Sequence, residues 1–182
     1  MKTNIRKILK FTKLLITSLL IATVSAQIYD YMYLNANVGV QGMALAWIIG
    51  DDGSSAGTQI NGVTATLTSL KGPPNGTRIY ADPVRLKNTG ANNVTFDLLI
   101  DTVSENTEYL NSIIVRIYNT NSSAWVQNVT IWGNGGKGSD VPNLSISSGH
   151  VWRFQWEITW NADATTSHSV TVNLKIKVPA VA

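Results

Sequence analysis

Two stretches late in this 182-residue chain alternate strictly between apolar and polar side chains. In residues 151–161 every second position, from Trp152 to Trp160, is tryptophan, phenylalanine or isoleucine, and the positions between them are polar. Residues 170–178 repeat the alternation with aliphatic side chains. Successive side chains of a strand point to opposite faces, so each stretch predicts a strand with one core face and one wet face. The polar residues 161–168 between them predict an antiparallel hairpin.

The rest of the body predicts further strands, separated by Gly, Asn and Pro turns. The candidate strands are residues 38–49, 63–70, 78–86, 94–100, 113–118 and 125–132, of which the last two are predicted to pair. Pro83 indicates an edge strand or a bulge, because proline cannot donate a ladder hydrogen bond. One helical turn is predicted near residues 104–110, and a glycine-rich loop at residues 133–138. Eight or so strands indicate an all-β fold, a single β-sandwich of jelly-roll type.

The first 26 residues have the pattern of a secretory signal peptide. Five basic residues precede a short apolar run, and Val24-Ser25-Ala26 supplies small residues for cleavage. The mature chain then has 9 basic and 11 acidic residues, a net charge of −2, although the whole chain carries +3. This balance argues against a nucleic-acid partner. The apolar run is about half of the roughly 20 residues that span a bilayer. We therefore expect a secreted, extracellular protein with no membrane association after cleavage.

The residues that follow the signal form an extended N-terminal arm, residues 27–37, ahead of a body of residues 38–182. The arm is apolar on both faces, and its main candidates for contact are Gln27, Ile28, Tyr29, Tyr31, Met32, Tyr33 and Leu34. A strand of this kind is stable when both of its faces are buried. It is either the first strand of its own sandwich or a strand that completes the sheet of a neighbouring copy. The chain has no cysteine, so a packed core or assembly must hold the exported fold.

Several motifs occur in a recognisable order along the body. A Gly-Pro-Pro-Asn-Gly turn at residues 72–76 is followed by Lys-Asn-Thr-Gly at residues 87–90 and a strand at residues 94–98. Ile-Ser-Ser-Gly-His at residues 146–150 then precedes the Trp-rich strand. This order resembles the TasA/camelysin family of secreted biofilm-fibre subunits and the related archaeal bundling-pilus and thread subunits. The turn is longer here than the simpler proline-glycine turn of that family.

The resemblance implies a mode of assembly. Members of the family polymerise head-to-tail by donor-strand complementation, in which the N-terminal strand of one subunit enters a groove of the next. By position, residues 27–37 would be the donor strand here. The partner implied is another copy of the chain, together with neighbouring filaments in bundles. The residues of the acceptor groove cannot be assigned from the sequence.

Catalytic and metal-binding signals are weak. The two histidines, His150 and His168, are not part of a His-Glu-x-x-His motif, and without cysteine they do not support a transition-metal site. Residues 133–139 contain Gly and Lys, but not at the spacing of a phosphate-binding loop. Residues 51–54 could bind calcium between subunits, although a plain turn is the better interpretation. We therefore expect a non-enzymatic protein without a cofactor.

Five asparagines head Asn-x-Ser/Thr triplets, which are acceptors of N-glycosylation in exported proteins. They are Asn75, Asn93, Asn121, Asn128 and Asn143. A sugar coat on these residues would solubilise and protect a surface filament.

The six tryptophans leave a second function open, because exposed aromatic rings stack on sugars. Alternation predicts that Trp152, Trp156 and Trp160 pack in the core. Trp125 and Trp132 have opposite parity, so at least one of them is a candidate for exposure. The predicted function is a structural subunit of an extracellular filament, either a pilus or a biofilm-matrix fibre. The alternative is a secreted carbohydrate-binding β-sandwich module.

Overall fold

The computed structural model of the protein describes residues 44–178, which form two antiparallel sheets. The six-stranded sheet has the order β1 (Leu45–Ile49), β4 (Thr77–Asn88), β10 (Val151–Trp160), β6 (Leu110–Asn119), β7 (Ala124–Gly133) and β8 (Gly136–Lys137). The five-stranded sheet has the order β2 (Thr58–Asn61), β3 (Thr64–Leu70), β11 (Val170–Lys177), β5 (Val94–Ser104) and β9 (Val141–Ile146). A short helix α1 (Gly53–Ala56) and a 3-10 helix (Thr107–Tyr109) complete the described elements.

The strand order is that of a jelly roll. Eight strands, β3 to β7 and β9 to β11, supply the orders β4-β10-β6-β7 in one sheet and β3-β11-β5-β9 in the other. All but one of the steps between them cross to the opposite sheet, which gives the two interleaved Greek keys of this fold. The predicted all-β, jelly-roll sandwich is therefore confirmed.

The predicted hairpin between residues 151–161 and 170–178 is wrong. β10 lies between β4 and β6, whereas β11 lies between β3 and β5 in the other sheet. Both strands were correctly predicted, and each turns its apolar face inward. A hairpin and a pair of opposed sheets bury such faces equally well, so alternation alone does not decide which strands are neighbours.

Pro83 lies at a bulge in β4, beside the residues that pair with both β1 and β10. β10 pairs with β4 through Phe154 opposite Val84 and Trp156 opposite Tyr80, so three β4 residues face one β10 residue between them. The pairing with β1 ends at Val84, and Pro83 therefore breaks no ladder on that side. The bulge interpretation is confirmed, and the edge interpretation holds for the residues of β4 that precede Pro83, which pair among the described strands with β10 alone.

The glycine-rich residues 133–138 form a tight hairpin. Gly133 lies opposite Gly136, and the two residues between them, Asn134 and Gly135, have φ of 51° and 75°. An Asn-Gly pair with positive φ is the usual two-residue turn between antiparallel strands, because its twist matches that of the strands.

Two further predictions are confirmed. The helical turn predicted near residues 104–110 is present as the 3-10 helix, and the predicted pairing of residues 113–118 with 125–132 is present as β6 and β7.

Aromatic side chains fill the space between the sheets. Trp152, Trp156 and Trp160 are all buried, as predicted. The ring of Trp152 lies 5.8 Å from that of Phe96 on β5, so the contact joins the two sheets. Burial of each large apolar side chain stabilises the fold by about 1.5–3 kcal/mol. This core holds the sandwich without disulfides.

Candidate functional site

The predicted arm and signal lie outside the described part of the chain. The signal peptide at residues 1–26 and the donor strand at residues 27–37 therefore stay predictions. The same holds for residues 38–43, the first half of the strand predicted at residues 38–49. The described portion of that strand is β1.

In the part of the chain that the structure describes, one side of β4 has no partner strand along half of its length. β10 pairs with β4 from residue 77 to residue 87, whereas β1 covers the opposite side over residues 84–88. Among the described residues, no strand pairs with that opposite side between residues 77 and 81. Its backbone amide and carbonyl groups form a sheet edge that can accept a further strand.

The chain leaves this edge at the end of β1. Gly50 N donates a hydrogen bond to the carbonyl of Pro83 at 3.2 Å, and Asp52 N donates one to the carbonyl of Asp82 at 2.9 Å. These bonds turn the chain toward α1 and the other sheet, so it does not continue along β4. An alanine at Gly50 would meet the Asp82 carbonyl, which is why this position needs glycine. The turn keeps the neighbouring half of β4 open.

Two isoleucines are exposed at this edge. Ile79, in the uncovered half of β4, is 54% exposed, and Ile49, at the end of β1, is 52% exposed. Both belong to β-strands in a domain whose other isoleucines are largely buried. They supply apolar surface on which a further strand could pack.

The acidic turn after β1 is used inside the domain. The Asp51 carboxylate pairs with Arg85 at 2.9 Å, and the Asp52 carboxylate accepts a hydrogen bond from the Asp82 amide at 3.0 Å. Arg85 also pairs with the Asp82 carboxylate. The hydrogen bond with Asp82 raises the pKa of Arg85, and this effect exceeds the opposing effect of burial. The turn interpretation is thus supported by the contacts of both carboxylates.

Two of the motifs that carry the family resemblance meet in space. Asn88 Nδ2 donates to the carbonyls of Ile146 and Asn92 at 3.0 and 2.8 Å, and its Oδ1 accepts from the Gly90 amide at 2.9 Å. Ser148 Oγ donates to the Gly90 carbonyl at 2.7 Å. The Lys-Asn-Thr-Gly and Ile-Ser-Ser-Gly-His segments therefore form one polar junction between the two sheets, and their role here is structural.

The two histidines lie near opposite ends of β6. His150 Nδ1 shares a hydrogen bond with Asn119 Nδ2 at 2.9 Å, whereas the ring of His168 stacks on Tyr109 at 3.9 Å. No group of three or more His, Cys, Asp or Glu side chains within residues 44–178 is arranged to hold a metal ion. In the same residues, no helix is long and apolar enough to cross a membrane.

All five candidate glycosylation asparagines are exposed. Asn75 and Asn143 adopt positive φ, of 49° and 59°. The side-chain oxygen of Asn121 accepts a hydrogen bond from the Val151 amide at 2.9 Å, and that of Asn128 accepts one from Trp125 Nε1 at 3.3 Å. Their amide nitrogens, to which a glycan would attach, are not used in these bonds. The exposure leaves glycosylation a prediction.

Trp125 lies on the outer face of the six-stranded sheet and is 59% exposed, as parity allowed. It faces Tyr118 on the neighbouring strand β6. The Arg153 guanidinium of β10 lies over the Tyr118 ring, 5.2 Å from its centre. Beside these side chains is a cavity of about 260 Å³.

The sequence did not predict this site, because its residues come from three strands and no sequence spacing shows that these strands are adjacent. The one indication in the sequence was that Arg153 lies on the polar face of the strand predicted at residues 151–161.

Comparisons with known proteins do not place the chain in a family. No family model matches the sequence, and no curated protein matches it. Among solved structures, the secreted serine protease VesC from Vibrio cholerae is 10% identical over 66% of this chain, with a TM-score of 0.31. The chain spans only 22% of VesC.

The names of two further solved structures refer to carbohydrate binding. The lectin domain of lectinolysin complexed with Lewis B antigen is 12% identical, with 78% of this chain and 94% of that chain covered and a TM-score of 0.33. A chitosan-binding module from a chitosanase/glucanase of Paenibacillus sp. IK-5 is 14% identical, with 75% and 96% covered and a TM-score of 0.29. At these TM-scores the likenesses decide nothing about the function of this chain.

Proposed function

We propose that the protein is a structural subunit of an extracellular filament, of the kind formed by TasA/camelysin-like and archaeal bundling-pilus subunits. In this proposal residues 27–37 of one copy add to the uncovered edge of β4 in the next copy. The observation that carries the proposal is that edge, which pairs with no other described strand between residues 77 and 81. An arm that is apolar on both faces matches a site that offers both backbone groups and exposed isoleucine side chains.

Three of the other described edges are short or disturbed. β8 has two residues and β2 has four. β9 contains Pro142 and a positive-φ residue, Asn143, and both disturb strand pairing. Two rivals to the β4 edge remain. The free side of β1 has five residues, and the side of β7 away from β6 is open among the described strands over residues 124–131, because β8 pairs only with Trp132 and Gly133.

The energetics permit a lasting contact. Five large arm side chains, buried at about 1.5–3 kcal/mol each, would contribute roughly 10 kcal/mol before costs. Ordering of the arm and loss of free movement offset a large part of this sum. A head-to-tail contact of this type does not close on itself unless its rotation makes a ring, so its ordinary product is a filament.

The first test compares the mature protein with a variant that lacks residues 27–37. We expect filaments by electron microscopy from the first and folded monomers from the second. Addition of a peptide of residues 27–37 to the truncated variant should give saturable binding in trans. Folded monomers from both proteins would refute the filament proposal.

The second test concerns the acceptor edge. Ile79→Lys places a charge on the exposed edge and should abolish both filament growth and peptide binding while the domain stays folded. The matched control is Asn111→Lys, which adds the same charge to an exposed position of β6, a strand paired on both sides. Unchanged assembly of the Ile79 variant would move the acceptor site elsewhere, with the free side of β1 as the next candidate.

Carbohydrate binding is the second candidate function. One observation favours it: Trp125 is exposed beside Tyr118 on an open sheet face. Aromatic rings in this position can stack on the apolar face of a sugar ring. Tryptophan fluorescence that is quenched by an oligosaccharide in the wild type, and not in Trp125→Ala, would support it.

A further inference from the structure

A cavity of about 260 Å³ opens on the outer face of the six-stranded sheet, where β6 and β10 meet the turn from β6 to β7. Its lining consists of Tyr118, Asn119, Thr120, Ser123 and Arg153. Pockets for drug-sized ligands usually measure roughly 300–1,000 Å³. This cavity is therefore suited to one ring-sized group of a larger ligand that continues over the surface.

Arg153 brings an unpaired charge to this cavity. No carboxylate of the described residues lies within ion-pair distance of it, and its Nε is buried without a hydrogen-bond partner. The neighbouring arginines on the same face are both neutralised, Arg85 by two aspartates and Arg116 by Glu157 at 2.5 Å. Arg153 is thus the arginine of this face that is left to meet an anion from outside.

The ring of Tyr118 supports the Arg153 guanidinium. The guanidinium lies over the ring of Tyr118, 5.2 Å from the ring centre, in a cation–π contact. A planar guanidinium held in this way offers two parallel N–H groups to a carboxylate. Because one face of the group is covered by tyrosine, an incoming carboxylate is expected at its edge, toward the opening of the cavity.

Groups suited to a sugar surround this charge. Trp125 extends the aromatic surface from Tyr118, and its indole is held by the hydrogen bond from Nε1 to Asn128 Oδ1. Thr120 Oγ1 donates to the Val151 carbonyl at 2.7 Å and can still accept a hydrogen bond. Ser123 is exposed at the rim and presents its hydroxyl. Aromatic faces, hydroxyl groups and one cation are together the chemistry of acidic-sugar recognition.

We propose that this face binds an acidic saccharide, with the carboxylate of a uronate residue held by Arg153 and the sugar rings laid along Tyr118 and Trp125. The proposal rests on the second candidate function, carbohydrate binding, and specifies the class of ligand. In an extracellular filament the site would attach the subunit to an acidic polysaccharide. An acidic peptide satisfies Arg153 but brings no rigid ring to cover Trp125, so the saccharide is favoured.

The test titrates the mature protein with trigalacturonate and with its neutral methyl ester, by calorimetry. We expect the acid to bind at least about tenfold more tightly than the ester, with affinity that falls as salt rises. Arg153→Gln should weaken binding of the acid by about tenfold to a hundredfold and leave the ester unchanged, because a bidentate charged pair is lost. Arg153→Lys keeps the positive charge but lacks the planar guanidinium. Its affinity for the acid should therefore lie between those of the wild type and Arg153→Gln.

Two controls make the outcomes distinct. Arg78→Gln removes an exposed arginine that stacks on Tyr80 in the same sheet, and it should leave binding unchanged. Trp125→Ala should weaken acid and ester alike. If acid and ester bound equally and both depended on Trp125, the carbohydrate-binding function would stand. The proposed role of Arg153 would be overturned.

Other results would overturn the proposal more widely. Absence of binding by either saccharide, with a folded wild type, would overturn both the acidic-saccharide site and the carbohydrate function. If inorganic sulfate bound as tightly as the acidic saccharide and displaced it, the cavity would be a general anion site instead. Loss of self-association in Arg153→Gln, without any saccharide binding in the wild type, would assign the cavity to a contact between subunits.

Discussion

A single buried amide, that of Asn88, joins the two sheets at one end of the sandwich. The residue is fully buried, and its side chain makes hydrogen bonds to Gly90, Asn92 and Ile146. Its backbone amide also donates to the His150 carbonyl at 3.0 Å. A buried polar side chain with all of its bonds made is stable, whereas loss of the side chain leaves several backbone groups without partners.

We therefore expect Asn88→Ala to lower the free energy of unfolding by about 1–3 kcal/mol or more, since each buried group left unpaired costs an amount of that order. Asn92→Ala is the control, because Asn92 is exposed and contributes only its backbone carbonyl to the junction. It should change the stability by less than about 0.5 kcal/mol. Urea unfolding followed by circular dichroism measures both. Equal stability of the two variants would show that the junction is not energetically important.

At the scale of elements, β4 combines a fully paired half with a half that is paired on one side. Over residues 84–88 it lies between β1 and β10, and over residues 77–81 it pairs with β10 alone. The change occurs at the bulge beside Pro83, whose carbonyl accepts hydrogen bonds from Thr58 Oγ1 at 3.0 Å and from the Gly50 amide. The bulge and the turn after β1 thus decide where the open edge begins.

Hydrogen exchange tests the use of this edge. Amides of residues 77–81 that point away from β10 should exchange rapidly in the variant without residues 27–37 and become protected in filaments. Amides of residues 113–117 in β6, which is paired on both sides, should be protected in both states. Protection that increases instead along β1, with residues 77–81 unchanged, would contradict the proposed acceptor edge.

At the scale of the whole molecule, one continuous core between two sheets holds together a chain that has no cysteine. The core includes Trp156 with no exposed surface, while Trp125 lies outside it. The contacts of Trp47 with Phe154 and of Phe96 with Trp152 extend the aromatic layer along the sandwich. Because the body depends on this layer, its stability should respond strongly to loss of one inner ring.

Trp156→Ala should reduce the free energy of unfolding by about 3–5 kcal/mol, the usual cost of removing a large buried aromatic side chain. This is a large part of the roughly 5–15 kcal/mol by which domains are stable. Trp125→Ala is the matched control, and we expect it to change the stability by less than about 0.5 kcal/mol. Thermal unfolding monitored by circular dichroism compares the two. Similar losses would mean that Trp125 also contributes to the fold.

The sequence by itself determined the fold class and the inward faces of the strands predicted at residues 151–161 and 170–178. Alternation with period two is a local property, so it identifies the buried tryptophans of β10 without knowledge of any neighbour. It also singled out the arm, residues 27–37, as apolar on both faces. Only the tertiary structure decided which strands are adjacent: β10 and β11 lie in opposite sheets, and Arg153, Tyr118 and Trp125 come together from three strands. The physical reason is that strand pairing is a long-range choice between arrangements that bury the same apolar faces, and the open edge of β4 and the cavity beside Arg153 follow from that choice.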